Sequence, residues 1–263
     1  MTVKAKKSLG QNFLIDQYIL DKIVNIAEIK DKEILEIGPG SGNLTEHILR
    51  KGPKKVYVIE KDNDLSLLLN KKFENKINII NEDVLKIAEN KISKKKLTVF
   101  GNLPYNISTE ILSKWILNLD FPFWFDRLVL MFQKEVADRI IAETGTSNYG
   151  RLSILTCWKL NSKKIMDIGP NSFLPKPKID STVLTFTPNN DFSMFKDSKN
   201  LELITRVFFN QRRKMIKKPF NQIFNNSKII AKKLDINLDL RPQNLSPDVY
   251  YRIVEEYENL KSK

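Results

Sequence analysis

Asn102-Leu103-Pro104-Tyr105 is the stretch of this 263-residue chain best suited to chemistry. The asparagine amide oxygen is one hydrogen-bond acceptor. A backbone carbonyl near Leu103 and Pro104, held by proline's fixed φ, is a second. Two acceptors so arranged suit an exocyclic amino group such as that of adenine, whose lone pair is delocalised into the ring. Hydrogen bonds from its N–H groups favour a pyramidal nitrogen able to attack a methyl sulfonium. Tyr105 offers a flat face for an extracted base, a contact worth ~1–3 kcal/mol. The nitrogen becomes acidic only once alkylated, so no strong base is needed beforehand. Catalysis is then mainly positioning and in-line alignment.

A donor of that methyl group needs a pocket, and three segments can build one. Gly38, Gly40 and Gly42 form a turn through which backbone can approach a ligand closely. It is not the dinucleotide fingerprint, because position 43 is Asn rather than Gly, and this argues against an NAD oxidoreductase. Glu60, followed by Lys61, ends an apolar run; a carboxylate there can accept both hydroxyls of a ribose. Asp83 can accept from an adenine amino group and Val84 can offer backbone N–H to the ring. The competing reading of Asp83 is a helix N-cap.

The elements around these residues follow from hydrophobic periodicity. Apolar runs at 33–37, 56–59, 77–80, 97–100 and 128–132 read as strands. Helical patterns intervene at 44–51, 64–73 and 107–119. Continuous apolar strands alternating with helices predict a parallel sheet covered on both faces, with ligands at the strands' carboxyl ends. Residues 153–160 and 181–186 read as later strands. After a break at 187–190 the pattern turns helical (201–209, 215–224, 231–234, 247–260), which predicts a boundary at 187/188.

Composition bounds the partners. The net charge of +13 predicts an extended polyanion, nucleic acid before membrane. No apolar stretch approaches a spanning helix and the N-terminus lacks a signal core, so a cytoplasmic protein is expected. One cysteine and one histidine exclude a Cys or His metal centre. Cys157 reads as a buried structural thiol, and His47 as a surface helix residue without a chemical role. Basic residues gather at 4–7, 91–96 and 212–218, surfaces able to neutralise phosphates. The 91–96 run reads as a solvated loop.

Six segments in order resemble one family: KKSLGQNFL (6–14), EIGPG (36–40), GNLPYNIST (101–109), QKEVADR (133–139), YGRLS (149–153) and FLPKPKIDS (173–181). Together they are similar to the KsgA-type small-subunit rRNA adenine dimethyltransferases. The resemblance implies a Rossmann-like methyltransferase fold, a mostly parallel seven-stranded sheet with helices on both faces, over residues 1–187. It implies a small α-helical RNA-binding domain over 188–263. It implies S-adenosylmethionine as cofactor, with Asn12 and Leu14 closing over it, Gln11 beside them, and Gly38, Glu60, Asp83 and Asn102 as further contacts; the pocket segments add Gly40, Lys61 and Val84. Two adjacent adenines near the 3′ end of 16S rRNA are the implied substrate, within an immature small subunit, with the protein acting as a monomer. It also implies that Phe173 faces Tyr105 across the target base; alone, Phe173 reads as core. FFNQRRK (208–214) matches the family's basic stretch, but Met215-Ile216-Lys217 replaces its usual continuation. Lys6, Lys7, Arg212, Arg213, Lys214 and Lys217 are the expected RNA contacts. Two alternatives are a non-catalytic ribosome-assembly factor and an erythromycin-resistance-type methyltransferase of large-subunit rRNA. The retained Asn102 and Glu60 argue against the first. The segments at 149–153 and 173–181 argue against the second, as does Leu103, where the resistance group more often has isoleucine.

Overall fold

The computed structural model describes residues 6, 10–119 and 121–261. Lys7, expected at the RNA surface, lies outside the described residues. In chain order the elements are β1 (Phe13–Leu14), α1 (Gln17–Val24), β2 (Glu33–Ile37), α2 (Asn43–Arg50), β3 (Lys55–Ile59), α3 (Asn63–Phe73), β4 (Asn78–Ile80), β5 (Leu97–Asn102), α4 (Ser108–Asn118), β6 (Phe125–Gln133), α5 (Lys134–Ile140), α6 (Arg151–Lys159), β7 (Leu160–Ile168), β8 (Phe173–Leu174) and β9 (Ser181–Pro188). Four helices follow: α7 (Lys199–Phe209), α8 (Lys217–Ile223), α9 (Ser227–Lys233) and α10 (Pro247–Lys261).

Seven strands form one sheet in the order β4-β3-β2-β5-β6-β9-β7. The pairs β3–β4, β2–β3, β2–β5 and β5–β6 are parallel, and β9 runs antiparallel to β6. Ile34, Val58, Val99 and Leu130 are fully buried, as expected of strands packed on both faces. The reversal of connection falls between β2 and β5, where a ligand crevice opens at the carboxyl ends. The glycine turn leaves β2 there, Glu60 leaves β3, and Asn102 ends β5. A two-residue ribbon, β1 with β8, pairs Phe13 with Leu174 and Leu14 with Phe173. The sequence carries no strand signal at that length.

The chain divides into two compact units. One comprises residues up to 115, 119–137 and 162–188, and contains the sheet; the other comprises 116–118, 138–161 and 189–263. The break at 187/188 read from the sequence therefore omits a segment, because 138–161 joins the helical unit. Within that unit, Tyr149 donates its hydroxyl to the Leu245 carbonyl at 2.8 Å and Tyr251 donates to the Ile154 carbonyl at 2.9 Å. The stretch expected as a strand at 153–160 is helix α6. Its residues Ser153–Thr156, Trp158 and Lys159 are all buried, and a helix apolar on nearly every side has no period to distinguish it from a buried strand.

Two other readings are corrected. His47 is buried, 3 % exposed; its ring nitrogens lie 2.7 Å from an Asp21 carboxylate oxygen and 2.9 Å from Gln17 Oε1, joining α2 to α1. Cys157 is exposed rather than buried, because it faces outward on α6.

Candidate active site

A cavity of about 250 Å³ lies at the carboxyl ends of β2, β3 and β5. Its walls bring together thirteen residues expected from the sequence: Gln11, Asn12, Leu14, Gly38, Gly40, Glu60, Lys61, Asp83, Val84, Asn102, Leu103, Pro104 and Tyr105. Sequence separations of up to 94 positions, from residue 11 to 105, collapse into one chamber because parallel strands deliver their ends to the same edge.

The glycines act through left-handed backbone. Gly40 has φ +58°, and a Cβ there would meet the Phe13 ring at 2.6 Å. Phe13 thus packs directly on the loop, and it lines the cavity. Glu60 is 7 % exposed. One of its oxygens accepts from Gly40 N–H at 3.2 Å and the other from Asp62 N–H at 2.8 Å. Burial raises its pKa, while the hydrogen bonds from Asp62 and Gly40 oppose the rise. The carboxylate therefore sets the loop's shape as well as facing the chamber.

Asp83 accepts from Leu85 N–H at 3.0 Å, which makes it the N-cap of the short 3-10 turn Val84–Lys86. Its other oxygen accepts from Lys61 Nζ at 2.7 Å, and this bond holds the carboxyl below its ordinary pKa. The capping reading is thus correct, and the residue lines the cavity as well. Behind the turn, Lys114 Nζ donates to the Val84 carbonyl at 2.8 Å and to Glu89 at 2.9 Å.

Asn102 is half-buried. Its Nδ2 donates to the Asn12 carbonyl at 2.8 Å, which leaves Oδ1 as the acceptor. The Tyr105 hydroxyl lies 2.5 Å from Ser181 Oγ, fixing the ring. Residues 10–14 form a strap across the chamber. Asn43 Nδ2 donates to the Leu14 carbonyl at 2.8 Å, and Gln11 Nε2 donates to Asp62 at 3.0 Å.

Three expectations require correction. Lys6 Nζ is paired with Asp62 and Asp64, both at 2.8 Å; it anchors the strap instead of presenting a free cation to phosphate. Arg212 donates to the carbonyls of Ser147 and Tyr149, so its guanidinium braces a loop of the helical unit. Phe173 is 2 % exposed and packs with Leu14, Ile23 and Ile168 in the core. It is not among the residues that line the cavity, and it pairs with Leu14 in the β1–β8 ribbon. Arg213, Lys214 and Lys217 remain exposed and line a shallow concave surface with Lys218 and Arg241.

The sequence reading missed Glu36, Phe13 and Asp62. Glu36 is 1 % exposed in a central parallel strand. A carboxylate inside an otherwise apolar strand run was the available signal. Asp62 left none, since it sits among polar neighbours.

Comparison with known proteins bears on this geometry. The family model described as ribosomal RNA adenine dimethylase matches residues 2–259. The chain is 68% identical over 261 residues to ribosomal RNA small subunit methyltransferase A of Pelagibacter ubique, covering 99% of this chain and 100% of that protein. It is 45% identical over 250 residues to the protein of the same name from Ehrlichia ruminantium, covering 93% and 94%. A crystal structure of a dimethyladenosine transferase from Plasmodium falciparum superposes with TM-score 0.80 at 28% identity, covering 95% and 98%. The 23S rRNA methyltransferase ErmE superposes with TM-score 0.67 at 21% identity, covering 94% and 99%, and shares the fold.

Proposed function

Because the chain belongs to the ribosomal RNA adenine dimethylase family, we propose that the cavity at the ends of β2, β3 and β5 is where it performs that family's reaction. The protein is an S-adenosylmethionine-dependent rRNA adenine dimethyltransferase. The chamber suits the cofactor: Glu60 lies at the end of β3, where a carboxylate can accept both hydroxyls of a ribose, Asp83 and Val84 line the wall expected for adenine, and left-handed glycines bring backbone close. When bound, the cofactor supplies an electrophilic methyl on a sulfonium. Everything else is done by this chain. Asn102 Oδ1 and a carbonyl of the following residues accept from the target amino group and localise its lone pair. Tyr105, fixed by Ser181, stacks the base. The strap residues Gln11, Asn12 and Leu14 close the chamber and exclude water.

One observation carries this assignment of roles. Asn102 gives its Nδ2 to the Asn12 carbonyl, so the acceptor end of the amide remains for the substrate, in the same chamber as Glu60 and Asp83.

We assign catalysis to the sheet-containing unit and RNA docking to the helical unit. Arg213, Lys214 and Lys217 there contact phosphates. The substrate we infer is two adjacent adenines near the 3′ end of 16S rRNA in an immature small subunit, in the cytoplasm, with the protein acting as a monomer. A large-subunit substrate is disfavoured because relatives at 68% and 45% identity carry a small-subunit name. The test is transfer of labelled methyl to purified immature small subunits, followed by mapping of the modified adenines. Dimethylation at two neighbouring adenines is expected; label confined to large-subunit rRNA would overturn the reading.

The charge assignment predicts separable phenotypes. Arg213→Ala and Lys217→Ala are each expected to lower RNA affinity and reduce the salt slope of binding by about one, with cofactor affinity unchanged. Arg212→Ala is expected to lower the melting temperature instead. Filter binding across a salt series and calorimetric melting separate the two.

A further inference from the structure

Glu36 is a carboxyl group that no step above uses, and it lines the cofactor chamber. It is 1 % exposed. One oxygen accepts a hydrogen bond from the Thr45 hydroxyl at 2.6 Å. Among the described residues, the other accepts none. The surroundings offer little to balance a negative charge. From β3 comes Glu60, itself acidic; from α3 comes only Lys72, which is paired with Glu46 at 3.4 Å. α2 contributes the neutral Thr45. The glycine loop 38–43, strand β5 and strap residues 10–14 contain no titratable side chain.

We propose that Glu36 keeps its proton while the chamber is empty and gives it up to solvent when the cationic cofactor enters, which makes this residue the chamber's selector for the sulfonium over the neutral thioether product. This rests on the cofactor reading above.

The balance is simple. The cofactor carries one more positive charge than S-adenosylhomocysteine, the product left after methyl transfer. A carboxyl with one unpaired oxygen in a dry wall is costly to ionise alone. Burial pushes Glu36 up to about 8, with the Thr45 hydrogen bond opposing and Glu60 adding to the rise. A sulfonium in the same chamber supplies the missing counter-charge, so binding expels one proton. Product formation removes that charge and draws a proton back, which weakens the hold on the carboxylate form. The sign follows directly. Below about 8, cofactor binding must displace a proton, so affinity falls as pH falls. Above it the carboxylate is already present and this dependence ends. Binding of the thioether product lacks that component.

Titration calorimetry of the intact protein tests this at pH 6.5–9 with S-adenosylmethionine and with S-adenosylhomocysteine, in two buffers of different ionisation enthalpy. The ligands' own amino groups titrate nearby, so Glu36→Gln serves as the background. In wild type, relative to Glu36→Gln, proton release of up to one per cofactor bound is expected near pH 7. The preference for cofactor over product should rise up to about tenfold per pH unit below 8. Both effects should vanish in the variant. Thr45→Val, which removes the hydrogen bond from the Thr45 hydroxyl to the carboxyl, is expected to move the wild-type profile to higher pH; it keeps the inference testable if Glu36→Gln fails to fold. Proton release equal in wild type and Glu36→Gln, or an unmoved profile in Thr45→Val, overturns the inference. Absence of any cofactor binding to wild type overturns the cofactor reading itself.

Discussion

Asn102→Ala is expected to lower methyl transfer to rRNA by about two to three orders of magnitude, the scale of removing one preorganised hydrogen-bonding group from a transition state. Two effects combine. The Oδ1 acceptor is lost, so the amino nitrogen keeps its lone pair in the ring. The tie from Nδ2 to the Asn12 carbonyl, 2.8 Å long, is lost as well, so the strap is less well held. The two are separable. Loss of the acceptor lowers the single-turnover rate at saturating cofactor; loss of the tie weakens cofactor affinity. RNA binding should stay close to wild type, because the exposed cations Arg213, Lys214 and Lys217 are untouched. Single-turnover methylation beside filter binding checks this. Wild-type rates in Asn102→Ala would remove the residue from the mechanism.

Glu60→Ala is expected to weaken cofactor affinity by about 1.5–3 kcal/mol, roughly 10- to 200-fold, the range for hydrogen bonds to a charged group. The geometry suggests the upper part of that range. The carboxylate receives the N–H groups of Gly40 and Asp62 before any ligand is present. Its removal therefore strips the ligand of a partner and the glycine loop of its clamp. Glu60→Gln separates the roles: its single amide oxygen can satisfy one of the two N–H groups, while its NH₂ faces the other as a second donor. Calorimetric affinity for the cofactor is the measurement, and unchanged affinity in Glu60→Ala would reject the ribose role.

Much of the chamber was legible because its determinants are local. Glycines at 38, 40 and 42 stand where only left-handed backbone fits, with φ between +58° and +78°. Glu60 and Asn102 stand at strand ends, where any open parallel sheet displays its chemistry. What escaped depends on tertiary context. The ribbon of β1 and β8 is two residues per strand, too short for any periodicity. Its pairing buries Phe173, which the family motif placed opposite Tyr105. Lys6 looks like its basic neighbours, and only the fold brings Asp62 and Asp64 to within 2.8 Å of it. Arg212 and Arg213 are adjacent and chemically identical, yet one braces carbonyls and the other is exposed; sequence carries no mark of that difference. His47 escaped because its two partners, Asp21 and Gln17, lie on a helix 26 to 30 residues earlier.

The hydrogen bond between Asn102 and Asn12 has a statistical consequence. A side-chain amide can sit in two nearly isosteric orientations, and only one presents oxygen to the substrate. A neutral hydrogen bond worth ~1 kcal/mol net biases that choice roughly fivefold. The reversed amide would also set oxygen against the Asn12 carbonyl, which deepens the bias. Each molecule is thus either competent or silent at any instant, and the seating of residues 10–14 sets the ratio. Because the two orientations exchange far faster than the chemical step, damage to that segment would register as a lower single-turnover rate constant, scaled by the competent fraction, with the full complement of molecules still reacting.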